Sequence, residues 1–335
     1  MKAEVVVSRW PIAGGFRISR GTKHEAVVVE VTVVGDGSWG RGEAVPYSRY
    51  GESVEAVEAE LRQLVLEDGD RQDQWADASA QLKLGAARNA VDCALWDWDS
   101  RRLGQPACAL AGVQRPSPVP TAYTLSVDTP AAMADKARRE RGRPCFKLKA
   151  SGQDDLARIE AVHAACPETP LIVDANEGWS VADYRTMAPV LGALGVMLIE
   201  QPFAADADGA LATLPRPVPV CADESFMRRS QLVEIARRYD AVNVKLDKTG
   251  GFTEALACVR AARSQGLQVM LGCNVCTSLG IAPSFLLVGE ADYVDLDGPL
   301  LLTRDRVGGA IWDGTRLHPP ALWGSEEDAR AHPKA

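Results

Sequence analysis

The chain has 335 residues, 46% apolar and 24% charged, proportions of an ordinary globular protein that exclude a disordered or fibrous one. Its 37 Lys and Arg against 45 Asp and Glu leave a formal charge of −8, and with no long basic run to offset this, nucleic acid is not an expected partner. The apolar stretch Val190 to Ile199 is too short to span a bilayer and holds two glycines, and MKAEVVVSRW has no signal-peptide pattern, so no membrane association is expected. The expected location is cytoplasmic, with the eight cysteines as reduced and mostly buried thiols.

Residues 1–116 are predicted to form an α+β domain. EAVVVEVTVV, the turn Gly35-Asp36-Gly37 and SWGRGEAV spell an antiparallel hairpin. Two helical stretches follow, SVEAVEAELRQLV and LGAARNAVDCALWDWDSRRLG, the second stopped by Gly104. RPSPVP at 115–120 predicts a linker. From Val119 onward, short β-type runs begin near Val119, Cys145, Leu171, Val196, Val218, Val242, Gln268 and Tyr293, spaced 22 to 26 residues apart. Leu156, Ile159, Val162 and Cys166 mark one helical face between two of them, and Asp128 and Ser180 are the expected N-caps of two others. Eight such units predict a closed barrel, and the GxGxxG of a Rossmann sheet is missing after the first strand. The last strand runs into GPLLLTRDRVGGAIWDG instead of a helix. The expected fold is therefore α/β, a modified TIM barrel of (β/α)7β type over 117–315, with a capping domain over 1–116. A tail at 316–335 is expected to pack back on the cap.

Catalytic residues of such a barrel lie at the C-terminal ends of the strands. Here those ends read Lys147-Leu148-Lys149, Asp174-Ala175-Asn176, Glu200-Gln201, Asp223-Glu224, Lys245 and Asp295-Leu296-Asp297. Alternation puts Lys147 and Lys149 on one face, and likewise Asp295 and Asp297. Asp174, Glu200 and Asp223 on consecutive strands predict an oxygen cage for a hard divalent cation, Mg²⁺ fitting best, one per subunit. Lys149 and Lys245 belong to opposite sides of an eight-stranded ring. Two amines flanking one carbon can remove a proton from one face and return it to the other, which is racemisation or epimerisation. Burial, Lys147 and the metal would lower the pKa of such a base, while the three carboxylates would oppose them.

At these residues the chain resembles the enolase superfamily, in its muconate lactonizing enzyme subgroup. AARNAVDCALWDWDSRRLGQP resembles the family's capping-domain helix, KLK its catalytic KxK, DAN, EQP and ADES its metal-bearing strand ends, and VNVKLDKTGG the strand of its second lysine. Within the subgroup it is most similar to the dipeptide epimerases, typified by L-Ala-D/L-Glu epimerase, because DLDGPL matches the DxD that binds a dipeptide's ammonium. The resemblance implies metal ligands Asp174, Glu200 and Asp223 and bases Lys149 and Lys245. It also implies a dipeptide substrate contacted by Lys147, Asp295, Asp297 and Thr124, with Asn176 and Glu224 in supporting places. FRISRGTKHEA and VPYSRYGES resemble two loops that close over the substrate. On that alignment Arg20 receives an acidic side-chain carboxylate, with Arg17, Lys23 and Arg49 as nearby rivals. Asp247 and Lys248 are left in a loop. Symmetric homo-oligomers are also implied, although no interface is legible.

None of the four histidines, His24, His163, His318 and His332, ends a barrel strand, which argues against members using a His–Asp dyad. The nearest rivals are two-lysine siblings, o-succinylbenzoate synthase or a cycloisomerase, whose substrates need no ammonium-binding DxD. A non-catalytic, metal-stabilised scaffold would not need either lysine. A Schiff-base aldolase would leave the acidic trio unused.

Overall fold

The computed structural model describes residues 1–67, 69–152 and 154–324. An antiparallel sheet opens the chain, built from β1 (Lys2–Ile18), β2 (Gly21–Gly35) and β3 (Ser38–Ala44). Asp36 and Gly37 both take positive φ, 52° and 67°, the two left-handed positions that a tight hairpin turn between β2 and β3 demands. The expected hairpin is β2–β3 alone; the pairing of β1 with β2 is an addition that the structure makes. FRISRGTKHEA, expected as a loop, is paired strand with Ile18 opposite Gly21, beyond a bulge between Pro11 and Phe16. Its outer half leaves the cap core, so its side chains are mostly exposed and lack the alternation by which a strand is read.

Of the next three helices, α1 (Val54–Arg62), α2 (Arg71–Gln81) and α3 (Ala86–Leu103), the first and third cover one face of this sheet and the second packs on α3; a short α4 (Ala107–Ala111) follows. The second was not predicted, because its sequence RQDQWADASAQ buries only Gln74 and Ala78. Helix α3 lies between cap and barrel, which is why its AVDCALW run is buried on every side, Asp92 included. It approaches β3 so closely that a Cβ at Gly40 would fall 2.0 Å from the Trp98 nitrogen. Gly104 ends it in the left-handed conformation.

The barrel strands are β4 (Tyr123–Leu125), β5 (Phe146–Lys149), β6 (Leu171–Asp174), β7 (Leu198–Glu200), β8 (Val220–Ala222), β9 (Ala241–Val244), β10 (Gln268–Gly272) and β11 (Tyr293–Asp295). They are hydrogen-bonded in sequence order and all parallel. The Ala122 amide donates to the Val294 carbonyl at 2.8 Å, nearly closing the ring. Helices α5 (Pro130–Arg139), α6 (Asp155–Ala165) and α7 (Val181–Ala193) make the first crossovers. Later ones use α8 (Leu232–Ile235), α9 (Leu246–Thr249), α10 (Phe252–Ser264) and α11 (Ser278–Ile281). Between β7 and β8 a single 3₁₀ turn replaces the expected helix. Ser180 caps α7 in a reciprocal box with Asp183. The cap of α5 is Thr129, not the expected Asp128, whose carboxylate instead accepts from the Thr129 amide. The hydroxyl of Thr129 reaches the Ala132 amide, three residues on, where Asp128 would be one residue too far back.

After β11 the chain makes a 3₁₀ turn and a small hairpin, β12 (Ile311–Trp312) with β13 (Leu317–His318). Leu317 bridges Val119, the Trp323 indole donates to the Cys93 carbonyl, and the Gly324 amide donates to Asp97, so this segment lies against cap helix α3. The rest of the expected tail, 325–335 with His332, lies outside the described residues. All eight cysteines are free thiols, and only Cys273 is not fully buried. Among the described residues no helix is long and apolar enough to cross a membrane.

Side chains pointing into the barrel fall in layers. The lowest is an apolar floor of Ala122, Cys145, Ile172, Leu198, Cys221, Ala241 and Met270, with Tyr293 packed against it. Two residues further along each strand, on the same face, stand Thr124, Lys147, Asp174, Glu200, Asp223, Asn243, Gly272 and Asp295. One period of strand alternation thus turns an apolar core into a charged plane.

Candidate active site

Within that plane Lys147, 1% exposed, is the hub. Its ammonium lies 2.7 Å from Glu200, 2.7 Å from Asp295 and 3.1 Å from Asp174. Burial opposes its charge, but the three carboxylates outweigh burial and hold Lys147 well above the usual lysine range. Asn243, which the sequence analysis passed over, donates to Glu200 at 2.8 Å. It has room because Gly272 stands beside it, where a Cβ would fall 2.5 Å from the Asn243 oxygen. A lone amide two residues before Lys245 in an apolar strand was the available signal.

Nearer the barrel mouth, Lys149 donates to Asp174 at 2.6 Å and Lys245 to Asp223 at 2.7 Å. Strands β5 and β9 stand four apart in the ring, and both ammoniums face one cavity of about 690 Å³. Thr124, Asp223, Glu224, Asp295, Asp297, Arg20 and Cys273 line the same cavity, whereas Lys147, Asp174 and Glu200 are buried and do not line it. Lys245 is held well above the usual range, because Asp223 and Glu200 overcome the effect of burial. Lys149 and Lys147 together outweigh burial at Asp174 and hold it down at about 2. Glu200 goes the other way, pushed up by burial and by the charge of Asp174.

Asp247 and Lys248, expected in a loop, are buried in the short helix α9. The Lys248 ammonium donates to both the carbonyl and the carboxylate of Asp223 at 2.6 Å. Asp247 accepts from the Val45 amide, Asn89 and Asn274, joining cap to barrel. A helical turn right after Lys245 carries both side chains inward, which the glycines that follow do not reveal. At the cavity edge the Thr124 amide donates to Asp297 at 2.6 Å. Burial and the neighbouring Asp295 raise Asp297 to about 7.

The expected lid corresponds to the tip of the β1–β2 hairpin with the 3₁₀ turn Ser48–Tyr50. Arg20 donates to the Asn176 carbonyl (3.0 Å), Tyr47 hydroxyl (3.1 Å), Glu177 (3.2 Å) and Glu224 (2.8 Å). Arg49 grips Glu177 with two bonds of 2.6 Å, and Lys23 lies over the Tyr47 ring. Arg20, Lys23 and Arg49 line the cavity and Arg17 does not. Glu177, absent from the sequence reading, holds φ 66° beside Asn176 at 45°, a left-handed pair that returns the chain towards the lid. Glu224, given a supporting place, pairs with Arg20, and burial with the charge of Asp223 raises it to about 7.

Among the described residues no three acidic, cysteine or histidine side chains are already arranged as a metal cage, since lysine ammoniums stand between the carboxylates. The donor chemistry nevertheless fits a hard cation: three buried carboxylates on adjoining strands, Asp174 paired in register with Glu200. Around them the side-chain oxygens Asn176 Oδ1, Asn243 Oδ1 and Glu224 Oε2 are buried without a hydrogen-bond partner.

Residues 1–112 match the mandelate racemase / muconate lactonizing enzyme N-terminal domain, and residues 131–303 the enolase C-terminal domain-like family. The chain is 42% identical over 306 residues to the L-Ala-D/L-Glu epimerase of Escherichia coli (strain K12), covering 90% of this chain and 94% of that protein. It is 38% identical over 303 residues to the N-acetyl-D-glutamate racemase of a Pseudoalteromonas species, covering 89% and 96%. Among solved structures, an Agrobacterium tumefaciens enolase family member with bound sodium and L-Ala-L-Glu superposes with TM-score 0.90 at 43% identity, over 96% of this chain and 99% of that one. A Cytophaga hutchinsonii dipeptide epimerase with Mg and D-Ala-L-Val gives 0.89 at 26% identity, over 96% and 94%. With both domains matched and this barrel architecture, the chain belongs to the mandelate racemase/muconate lactonizing enzyme group of the enolase superfamily.

Proposed function

We propose that this protein is a Mg²⁺-dependent dipeptide epimerase that inverts the α-carbon of the C-terminal residue, with L-Ala-D/L-Glu and related dipeptides favoured. The observation that carries this is the placing of Lys149 and Lys245 across one cavity from each other, with Asp295 and Asp297 at its edge. An α-proton beside a carboxylate is a very weak acid, so its removal needs both a base and a stabiliser of the enediolate. A divalent cation held by Asp174, Glu200 and Asp223 would supply Lewis-acid stabilisation of that charge and relieve the pull of the carboxylates on the lysines. One lysine, neutral, takes the proton from its face. The other, as the ammonium, delivers a proton to the opposite face, and the roles exchange with substrate configuration. Asp295 and Asp297 suit the N-terminal ammonium, Lys147 the α-carboxylate, and the Thr124 amide holds Asp297 in place. Arg20 is the guanidinium best placed for an acidic second side chain, at the cost of its bonds to Glu177 and Glu224.

The test is incubation of L,L-dipeptides with the protein and Mg²⁺ in D₂O, following the α-proton by NMR. Deuterium should enter at the second residue with inversion, fastest for Ala-Glu. A library with no exchange, or exchange on N-acetylglutamate alone, would reject the dipeptide assignment.

A further inference from the structure

The ion pair between Lys147 and Asp295 crosses from the carboxylate cluster to the DxD motif, and no role proposed so far explains it. Lys147 has three acidic partners and is 1% exposed. Two of them, Asp174 and Glu200, are buried and do not line the cavity, whereas Asp295 does. Asp295 meets Lys147 with Oδ2 alone, and its Oδ1, although buried, has no hydrogen-bond partner. A carboxylate half spent on a buried lysine and half unpartnered is prepared for a second cation. Asp297 differs, because its partner is the fixed Thr124 amide and no ion pair to Lys147 accompanies it.

We infer that Asp295 is a positioning residue acting through Lys147: a substrate ammonium takes over Asp295, and Lys147 is thereby released towards the substrate's α-carboxylate. This rests on the dipeptide reading above and deepens it. An ammonium brought to the unpartnered Oδ1 of Asp295 repels the Lys147 ammonium on Oδ2, so the net hold on Lys147 weakens. A free amino group on the substrate would then be required for turnover as well as affinity. An N-acylated amino acid fills the cavity but leaves Lys147 held by Asp295, so it binds and turns over slowly. Specificity for dipeptides is thereby read at the reacting end of the site, from a group remote from the proton being moved.

The experiment compares L-Ala-L-Glu with N-acetyl-L-glutamate on the wild type, Asp295→Asn and Asp297→Asn, each loaded with Mg²⁺. Calorimetric binding of both compounds and melting temperatures are recorded alongside. Asp295→Asn should raise the KM for the dipeptide and raise kcat for N-acetylglutamate about tenfold over wild type, because Lys147 loses its one acid partner on the cavity side and keeps only Asp174 and Glu200. Asp297→Asn should raise the dipeptide KM with no such gain. If Asp295→Asn folds poorly, Asp295→Ala removes the same charge and repeats the comparison. Equal kcat for N-acetylglutamate in wild type and the Asp295 variants overturns the inference while dipeptide turnover by the wild type leaves the functional reading standing. A wild type that turns over no dipeptide overturns both.

Discussion

Lys149 and Lys245 are drawn to different acids and different neighbours. Lys149 donates to Asp174 and lies 5.6 Å from the ring of Phe16 on the hairpin, while Lys245 donates to Asp223, which Lys248 also holds. Replacing either by alanine removes the acid–base group on one face only. Each single variant should lose epimerisation by about 10²–10⁴-fold, yet can retain solvent exchange on one stereoisomer, read by α-proton NMR in D₂O. Full epimerisation by either variant would contradict the two-face mechanism. Asp297 allows a pH test with a definite sign. Its carboxyl is raised to about 7 by burial and by Asp295, so it gains a proton as pH falls below that value. A protonated acid attracts an ammonium far less than a carboxylate does. Dipeptide KM should therefore rise as pH is lowered from about 8 to about 6, approaching about tenfold per unit at the lower end, and Asp297→Asn should flatten that limb.

At the scale of elements, buried parallel strands were legible and the lid was not. In LIVDAN the residues Leu171, Ile172 and Val173 form an apolar run that stops at the charge of Asp174, and a strand buried on both faces has to read that way. The hairpin tip obeys no such rule. Its fixed points are ion pairs to Glu177 and Glu224, residues 157 and 204 positions away from Arg20. Glu177 anchors two lid arginines at once and accepts from the Ala205 amide. Glu177→Gln keeps the shape and removes the charge. The ion pairs are partly exposed, so each contributes little to stability, and the expected loss is about 3–10-fold in kcat/KM with the melting temperature almost unchanged. Limited proteolysis should cut faster near Arg20 in this variant, and unchanged cleavage would show that the lid is held by other contacts.

For the whole molecule, the junction of cap and barrel decides the shape of the cavity. Asp247 is its buried pin, joining Val45 of the cap, Asn89 of α3 and Asn274 beyond β10. Asp247→Ala leaves three donors without that partner inside the protein, for an expected loss of about 2–4 kcal/mol in urea unfolding. Because Val45 also lines the cavity, dipeptide KM should rise in the same variant. A variant as stable as the parent would show that the junction rests on its other contacts, among them Thr253 donating to Asp92 and Thr277 donating to Glu43. By itself the sequence determined the order of strands, the charged residues at six of the eight strand ends and the face they share, since alternation is a local property of the backbone. Only the tertiary structure decided that Lys147 meets Asp295 across 148 residues, that Asp247 and Lys248 turn inward, and that a paired hairpin covers the mouth. Those outcomes depend on which distant side chains share a dry space, and periodicity carries no record of that.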